Sequence, residues 1–148
     1  MAIILGIDPG SRVTGYGVIR SYGNRLEFLD CGVVRAEMKS HAERLKKIFD
    51  GITQVVEKHN PTEVAIEEVF VGRNASSALK LGQARGAAMT ACLQYDICMA
   101  EYSARSVKSA VTGSGGAEKQ QVQHMVRAIL NFTGDLIEDA ADGLAIAV

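Results

Sequence analysis

The sequence predicts an α/β fold: a five-stranded mixed sheet, three antiparallel strands then two parallel, flanked by helices. Three observations predict it. Up to Ala36, apolar runs alternate with short glycine-bearing turns, the pattern of an antiparallel meander. From Ser40 onward the apolar period becomes that of a helix. After Pro61 strand-like and helix-like segments take turns, and strands joined through a helix run parallel by right-handed crossover.

The elements follow in order. Residues 2–8 form the first strand, apolar almost throughout and closed by Asp8. Gly10-Ser11 through Thr14-Gly15 reads as a turn, Tyr16 to Arg20 as a second strand, Tyr22-Gly23-Asn24 as a turn, and Leu26 to Ala36 as a third strand. Ser40-His41-Ala42-Glu43 has capping-box form, in which the serine and glutamate side chains each satisfy a free amide at a helix start. Leu45, Ile48, Phe49, Ile52, Val55 and Val56 continue at helical spacing until Asn60-Pro61 stops the helix. Glu63 to Glu67 is a fourth strand, a helix runs from near Ala75 to Gln94, and Ile97 to Ala100 is a fifth strand. A short helix begins near Ser103, and Thr112-Gly113-Ser114-Gly115-Gly116 is a loop. Val122, Met125, Val126, Ile129 and Leu130 mark an amphipathic helix from about Ala117, and Asp139 to Val148 is helical.

Composition narrows the class. A chain of 148 residues, 47% hydrophobic and 22% charged, suits one domain over 1–148 with a proper core. No apolar run is long enough to cross a bilayer, and the apolar start has neither a basic leader nor a cleavage site. Cys31, Cys92 and Cys98 are odd in number and lack zinc-type spacing, so they read as free thiols in a reducing cytoplasm. His41, His59 and His124 are scattered and receive no metal. The net charge of −1 does not advertise a nucleic-acid binder. Its distribution says more: residues 73 to 127 hold seven basic side chains (Lys80 and Arg85 among them) against three acidic ones. A locally basic face beside acidic clusters suits a phosphate backbone delivered onto metal ions.

The acids carry the chemistry. Asp8 and Glu67 each close an apolar strand, and Asp139 and Asp142 share one face of the last helix. A carboxylate ending so apolar a strand as the first is costly without a partner. Gathered at one sheet end, such carboxylates offer the oxygen donors that magnesium takes. Two ions roughly 3.5–4 Å apart activate water and stabilise the leaving oxygen of a phosphodiester. Glu68 falls on the opposite strand face and is structural. Lys119 follows the glycine-rich loop at a helix start, where free amides favour anions, and reads as a phosphate clamp. That loop is not a P-loop, because Gly116 is not followed by Lys-Ser or Lys-Thr.

Four stretches, Ile4 to Ser11, Ala65-Ile66-Glu67, Ala78 to Gly86 and Asp139-Ala140-Ala141-Asp142, closely resemble the RuvC-type Holliday-junction resolvases in order and spacing along essentially the whole chain. The resemblance implies a ribonuclease H-like fold and a homodimer that nicks two opposed strands of a four-way DNA junction symmetrically. It implies two magnesium ions per active site, with manganese able to substitute, held by Asp8, Glu67, Asp139 and Asp142, with Lys119 catalytic as well. Products would carry a 5′-phosphate and a 3′-hydroxyl, in homologous recombination and DNA repair, beside a branch-migration motor of the RuvA and RuvB type. Lys108 and Lys119 match basic positions near the scissile phosphate. Relatives carry a basic tail past position 148, so the last helix and tail are expected to be truncated here.

Two features read either way from residues alone. Phe70-Val71-Gly72-Arg73-Asn74 either buries Phe70 or stacks it on an unpaired base while Arg73 and Asn74 meet the backbone, and the resemblance favours DNA. Ala78, Gly82, Gly86 and Thr90 recur on one helical face, which packs on this chain's own sheet or forms a twofold dimer contact. Competing classes are an actin-like ATPase, a structured-RNA nuclease of the same fold and a non-catalytic branched nucleic-acid binding domain. The ATPase needs a second domain that 148 residues cannot supply.

Overall fold

The computed structural model describes residues 1–68, 74–130 and 138–148, with backbone alone at 138–141 and 144. The elements are β1 (Ala2–Asp8), β2 (Val13–Tyr22), β3 (Arg25–Arg35), α1 (His41–His59), β4 (Glu63–Glu67), α2 (Ala75–Leu93), β5 (Cys98–Tyr102), α3 (Ala104–Thr112), α4 (Lys119–Leu130) and α5 (Glu138–Ala147). The strands form one sheet in the order β3-β2-β1-β4-β5. β1, β2 and β3 are antiparallel neighbours, whereas β1, β4 and β5 are parallel. The mixed sheet expected from the pattern is the one observed.

Boundaries differ where local bonds override the pattern. β2 starts at Val13 rather than Tyr16, because the Thr14 hydroxyl donates to the Gly10 carbonyl at 3.0 Å and confines the turn to the residues before it. β5 starts at Cys98 and runs to Tyr102, since the Ile97 amide closes a turn onto Tyr95 and pairing with Glu67 carries the strand further. The serine half of the capping box and the stop of α1 behave as read. Ser40 accepts from the Glu43 amide, and Asn60, left-handed at φ 48, ends α1 just before Pro61.

Alternation divides the sheet into two unlike faces. Leu5, Ile7, Val64 and Ile66 point to one side and pack with Ile48, Ile52 and Val56 of α1 and Ala84, Ala88 and Ala91 of α2. On the other side, Ile4 joins Val111 of α3, Val122, Val126 and Leu130 of α4, and Ala145 and Ala147 of α5. Asp8 has the parity of Ile4 and Gly6, and Glu67 that of Ala65, so both acids belong to this second face.

Small residues decide how closely α5 lies on that face. A side chain at Gly6 would strike the Gly143 carbonyl at 2.2 Å and the Ala147 amide at 2.4 Å. One at Gly143 would strike the backbone of Tyr16 at 2.5 Å. Two glycines therefore let helix backbone rest directly on strand backbone, and that contact fixes the height of Asp142 above the end of β1.

Candidate active site

β1 and β4 run parallel with Ile7 level with Ile66, so their carboxyl ends leave the sheet side by side. Asp8 and Glu67 are the next residues on adjacent strands and point the same way. The position opposite Asp8 on β2 is Gly15, which leaves space beside the carboxylate. α5 crosses above through the Gly6–Gly143 contact and brings Asp142 to the same place. Asp8 interacts with both Glu67 and Asp142. Burial first, and then the charges of Glu67 and Asp142, push the Asp8 carboxyl up to about 8.

These acids line a pocket of about 340 Å³ with Lys108, Lys119, Val107, Val122 and Ala145. Lys119 Nζ lies 3.2 Å from Asp142 Oδ2. Lys119 is thus the first residue of α4 and is turned onto the acids, in addition to whatever anion the helix start attracts. Lys108, on α3, enters the same pocket from another wall. An adjoining groove of about 400 Å³ between β4, β5, α3 and α5 is lined mostly by apolar residues such as Ile4, Val64, Met99 and Ile146, and it carries no comparable chemistry.

The donor set fits hard divalent cations. Three carboxylates share one pocket, and burial, together with the charges of Glu67 and Asp142, leaves Asp8 holding a proton near neutral pH. A cation among them relieves that repulsion and displaces the proton. Among the described residues no group of three acids, histidines or cysteines is already set to hold an ion. Lys119 engages an Asp142 oxygen that an ion would take. Asp139 sits in the first turn of α5, and its side chain lies outside the described residues, as do Phe70 and Arg73 entirely.

The remaining expectations divide. Asn74 is the N-cap of α2, its side chain accepting from the Ser77 amide at 3.2 Å, and Lys80 is exposed on the same helix. Arg85, expected on DNA, is committed elsewhere: its Nε donates to the Glu67 carbonyl at 3.1 Å and its Nη2 pairs with Glu101. Its side chain is only 16% exposed, so little of it is offered to solvent. The small-residue face of α2 does not pack on this chain's sheet. Space beyond Gly82 and Gly86 is open to 4 Å, and the buried residues of α2 lie on another side, at Ala84, Ala88, Ala91 and Cys92. Leu79 and Leu93, 65% and 57% exposed, flank that open face. Sequence reasoning passed over both, though their spacing from Gly82 and Gly86 was visible.

The geometry has counterparts among known proteins. A family model described as crossover junction endodeoxyribonuclease RuvC matches residues 4–148. The chain is 56% identical over 148 residues to a protein of that name from Marinobacter nauticus, covering all of this chain and 85% of that one. A namesake from Photobacterium profundum is 54% identical over the same span, 86% of its length. Among solved structures, the chain is similar to Thermus thermophilus RuvC in complex with Holliday junction substrate, at TM-score 0.91 and 33% identity over 99% of this chain and 91% of that one. A yeast mitochondrial Holliday junction resolvase shares the fold at TM-score 0.66 and 16% identity, over 97% of this chain and 76% of that one.

Proposed function

The chain belongs to the RuvC family of crossover junction endodeoxyribonucleases, and from that premise we propose which of its residues do the work and how. It is a metal-dependent endonuclease that resolves four-way DNA junctions, within a ribonuclease H-like fold. We propose that residues 1–148 act as one nuclease domain whose centre is the pocket of Asp8, Glu67 and Asp142. The observation that supports this most is three carboxylates and two lysines converging where β1 and β4 leave the sheet.

In this reading two magnesium ions, for which manganese substitutes, are held by Asp8, Glu67, Asp142 and Asp139. When bound they supply activation of water and stabilisation of the leaving oxygen. Asp8 shares the pocket with both Glu67 and Asp142 and would be the ligand common to the two ions. Glu67 would hold the ions from the end of β4, and Asp142 with Asp139 from α5. Lys119 exchanges its pairing with Asp142 for the scissile phosphate and neutralises charge that develops there. Lys108 holds the same strand from the α3 wall. Water adds to phosphorus, the bond to the 3′ oxygen breaks, and the products keep a 5′-phosphate and a 3′-hydroxyl.

A four-way junction has near-twofold symmetry, so a twofold dimer would present one site to each of two opposed strands. The open α2 face, with Ala78, Gly82, Gly86 and Thr90 between Leu79 and Leu93, supports that contact. Gly86→Arg is expected to shift sedimentation from dimer to monomer and to uncouple the two nicks. Phe70, Arg73, Asn74 and Lys80 follow Glu67 and are assigned to DNA entering the opened junction. A motor of the RuvA and RuvB type is the expected partner. Free Cys31, Cys92 and Cys98 suit a cytoplasmic setting, and no helix among the described residues is long and apolar enough to cross a membrane.

The test compares a synthetic four-way junction, linear duplex and structured RNA, with and without magnesium. Paired nicks confined to the junction and dependent on magnesium support the reading. Cleavage of the RNA instead, or binding with no cleavage by a protein that folds, would overturn it.

A further inference from the structure

Glu67 is the last residue of β4, and its backbone raises a problem that the strand pattern does not solve. In a parallel ladder a residue's amide and carbonyl face one neighbour, and successive residues alternate. The Glu68 amide donates to the Tyr102 carbonyl of β5 at 2.9 Å, so the polar groups of Glu67 face β1. With Ile7 level with Ile66, the β1 residue placed to donate to the Glu67 carbonyl is Pro9. Proline has no N–H. The ladder therefore ends one bond short at the residue whose side chain enters the acidic pocket.

Arg85 makes that bond. It reaches from α2, behind the sheet, and its Nε donates to the Glu67 carbonyl at 3.1 Å. Its Nη2 is paired with Glu101 of β5, and its Nη1 lies 3.2 Å from Met89 Sδ. Glu101 is level with Ile66 on the neighbouring strand, so the guanidinium ties the end of β4 to β5 as well as to α2. The planar fork suits this arrangement, because one donor serves the carbonyl while others serve the carboxylate. Arg85 is absent from the pocket lining, where Lys108 and Lys119 supply the positive charge.

We propose that Arg85 is a positioning residue for the catalytic centre: braced by Glu101, it replaces the hydrogen bond that Pro9 cannot give and so sets the aim of the Glu67 carboxylate. The assignment rests on the reading of that pocket as a divalent-metal site. Ligand orientation by an outer partner accounts for about 10–100-fold in metal affinity or activity. Arg85 acts through Glu67 and touches neither ion nor DNA.

The experiment uses the full chain and measures three quantities for wild type, Arg85→Met, Arg85→Lys and Glu101→Gln. They are Mn²⁺ affinity without DNA by calorimetry, junction affinity in chelator, and single-turnover junction cleavage. Arg85→Met is expected to weaken Mn²⁺ binding and slow cleavage by about 10–100-fold each. Junction affinity in chelator stays within about twofold of wild type, as for any residue remote from the ligand. Arg85→Lys restores part of both losses, since an ammonium reaches the carbonyl but does not hold Glu101 at the same time. Glu101→Gln falls between Arg85→Lys and wild type. Wild-type Mn²⁺ affinity in Arg85→Met, whether or not junction affinity falls, overturns the assignment. If Arg85→Met does not fold, wild-type Mn²⁺ affinity in both Arg85→Lys and Glu101→Gln overturns it instead. A wild-type protein that binds no Mn²⁺ overturns the metal reading itself, which separates the two failures.

Discussion

The two faces of β1 and β4 are made from alternate residues of the same strands, yet they do opposite things. Toward α1 and α2, Leu5, Ile7 and Ile66 are fully buried, and each such side chain contributes about 1.5–3 kcal/mol. Toward α5, the same strands offer Ile4, Gly6, Ala65 and then Asp8 and Glu67. There the packing is backbone on backbone, and it ends in acids that repel one another. One face supplies stability and the other spends part of it on a charged pocket. The two-residue period of a strand keeps these tasks separate without separating them in sequence.

Substitutions on the two faces should therefore split activity from stability, and the largest effect is on the acidic one. Asp8→Asn is expected to slow junction cleavage on the order of a thousandfold or more, about 4 kcal/mol in the barrier, while junction binding in chelator persists. Loss of binding in a folded variant would break the comparison. On the apolar face, Ile66→Ala should cost about 2–5 kcal/mol in chemical denaturation. The fraction still folded should cut at the wild-type rate, although Ile66 is the immediate neighbour of Glu67. Between the faces stands Gly143→Ala. Its new methyl meets Tyr16 backbone, so it should cost about 1–3 kcal/mol and also slow cleavage by lifting Asp142. A variant that loses stability but keeps its cleavage rate would show that α5 height does not matter to the site.

A further effect needs no substitution: pH dependence without metal. In the folded chain Asp8 titrates at about 8, against 3.8 for an ordinary aspartate. The folded state holds a proton there that the unfolded state releases, so Asp8's contribution is fully present below 3.8 and is lost as pH rises through about 8. Denaturation midpoints in chelator should decline across that window in the wild type and decline less in Asp8→Asn.

Much of this was legible in the residues. Period and capping signals located every strand and helix, because Ser40, Asn60 and Pro61 act locally and β1 and β4 are apolar runs each closed by an acid. Parallel strands with acids at matching ends also announce a site. What stayed hidden depends on contacts between distant segments. Gly6 stood in plain view inside a strand, a mark of close approach, but only α5 shows what approaches it. Arg85 looked like one more exposed cation, and nothing in its neighbours foretold that it would turn inward to a carbonyl left over by Pro9. The α2 stripe supported two readings until the positions of Ala84, Ala88 and Ala91 showed which side the chain itself covers.

The central claim is that Asp8, Glu67 and the aspartates of α5 repel one another in order to share divalent ions. Thermal unfolding of wild type and Asp8→Asn, each titrated with magnesium without DNA, tests it most directly. The account predicts that Asp8→Asn melts higher than wild type in chelator, and that magnesium raises the wild-type midpoint but leaves the variant's in place. Equal magnesium responses in the two proteins, or a variant that melts lower in chelator, would contradict it.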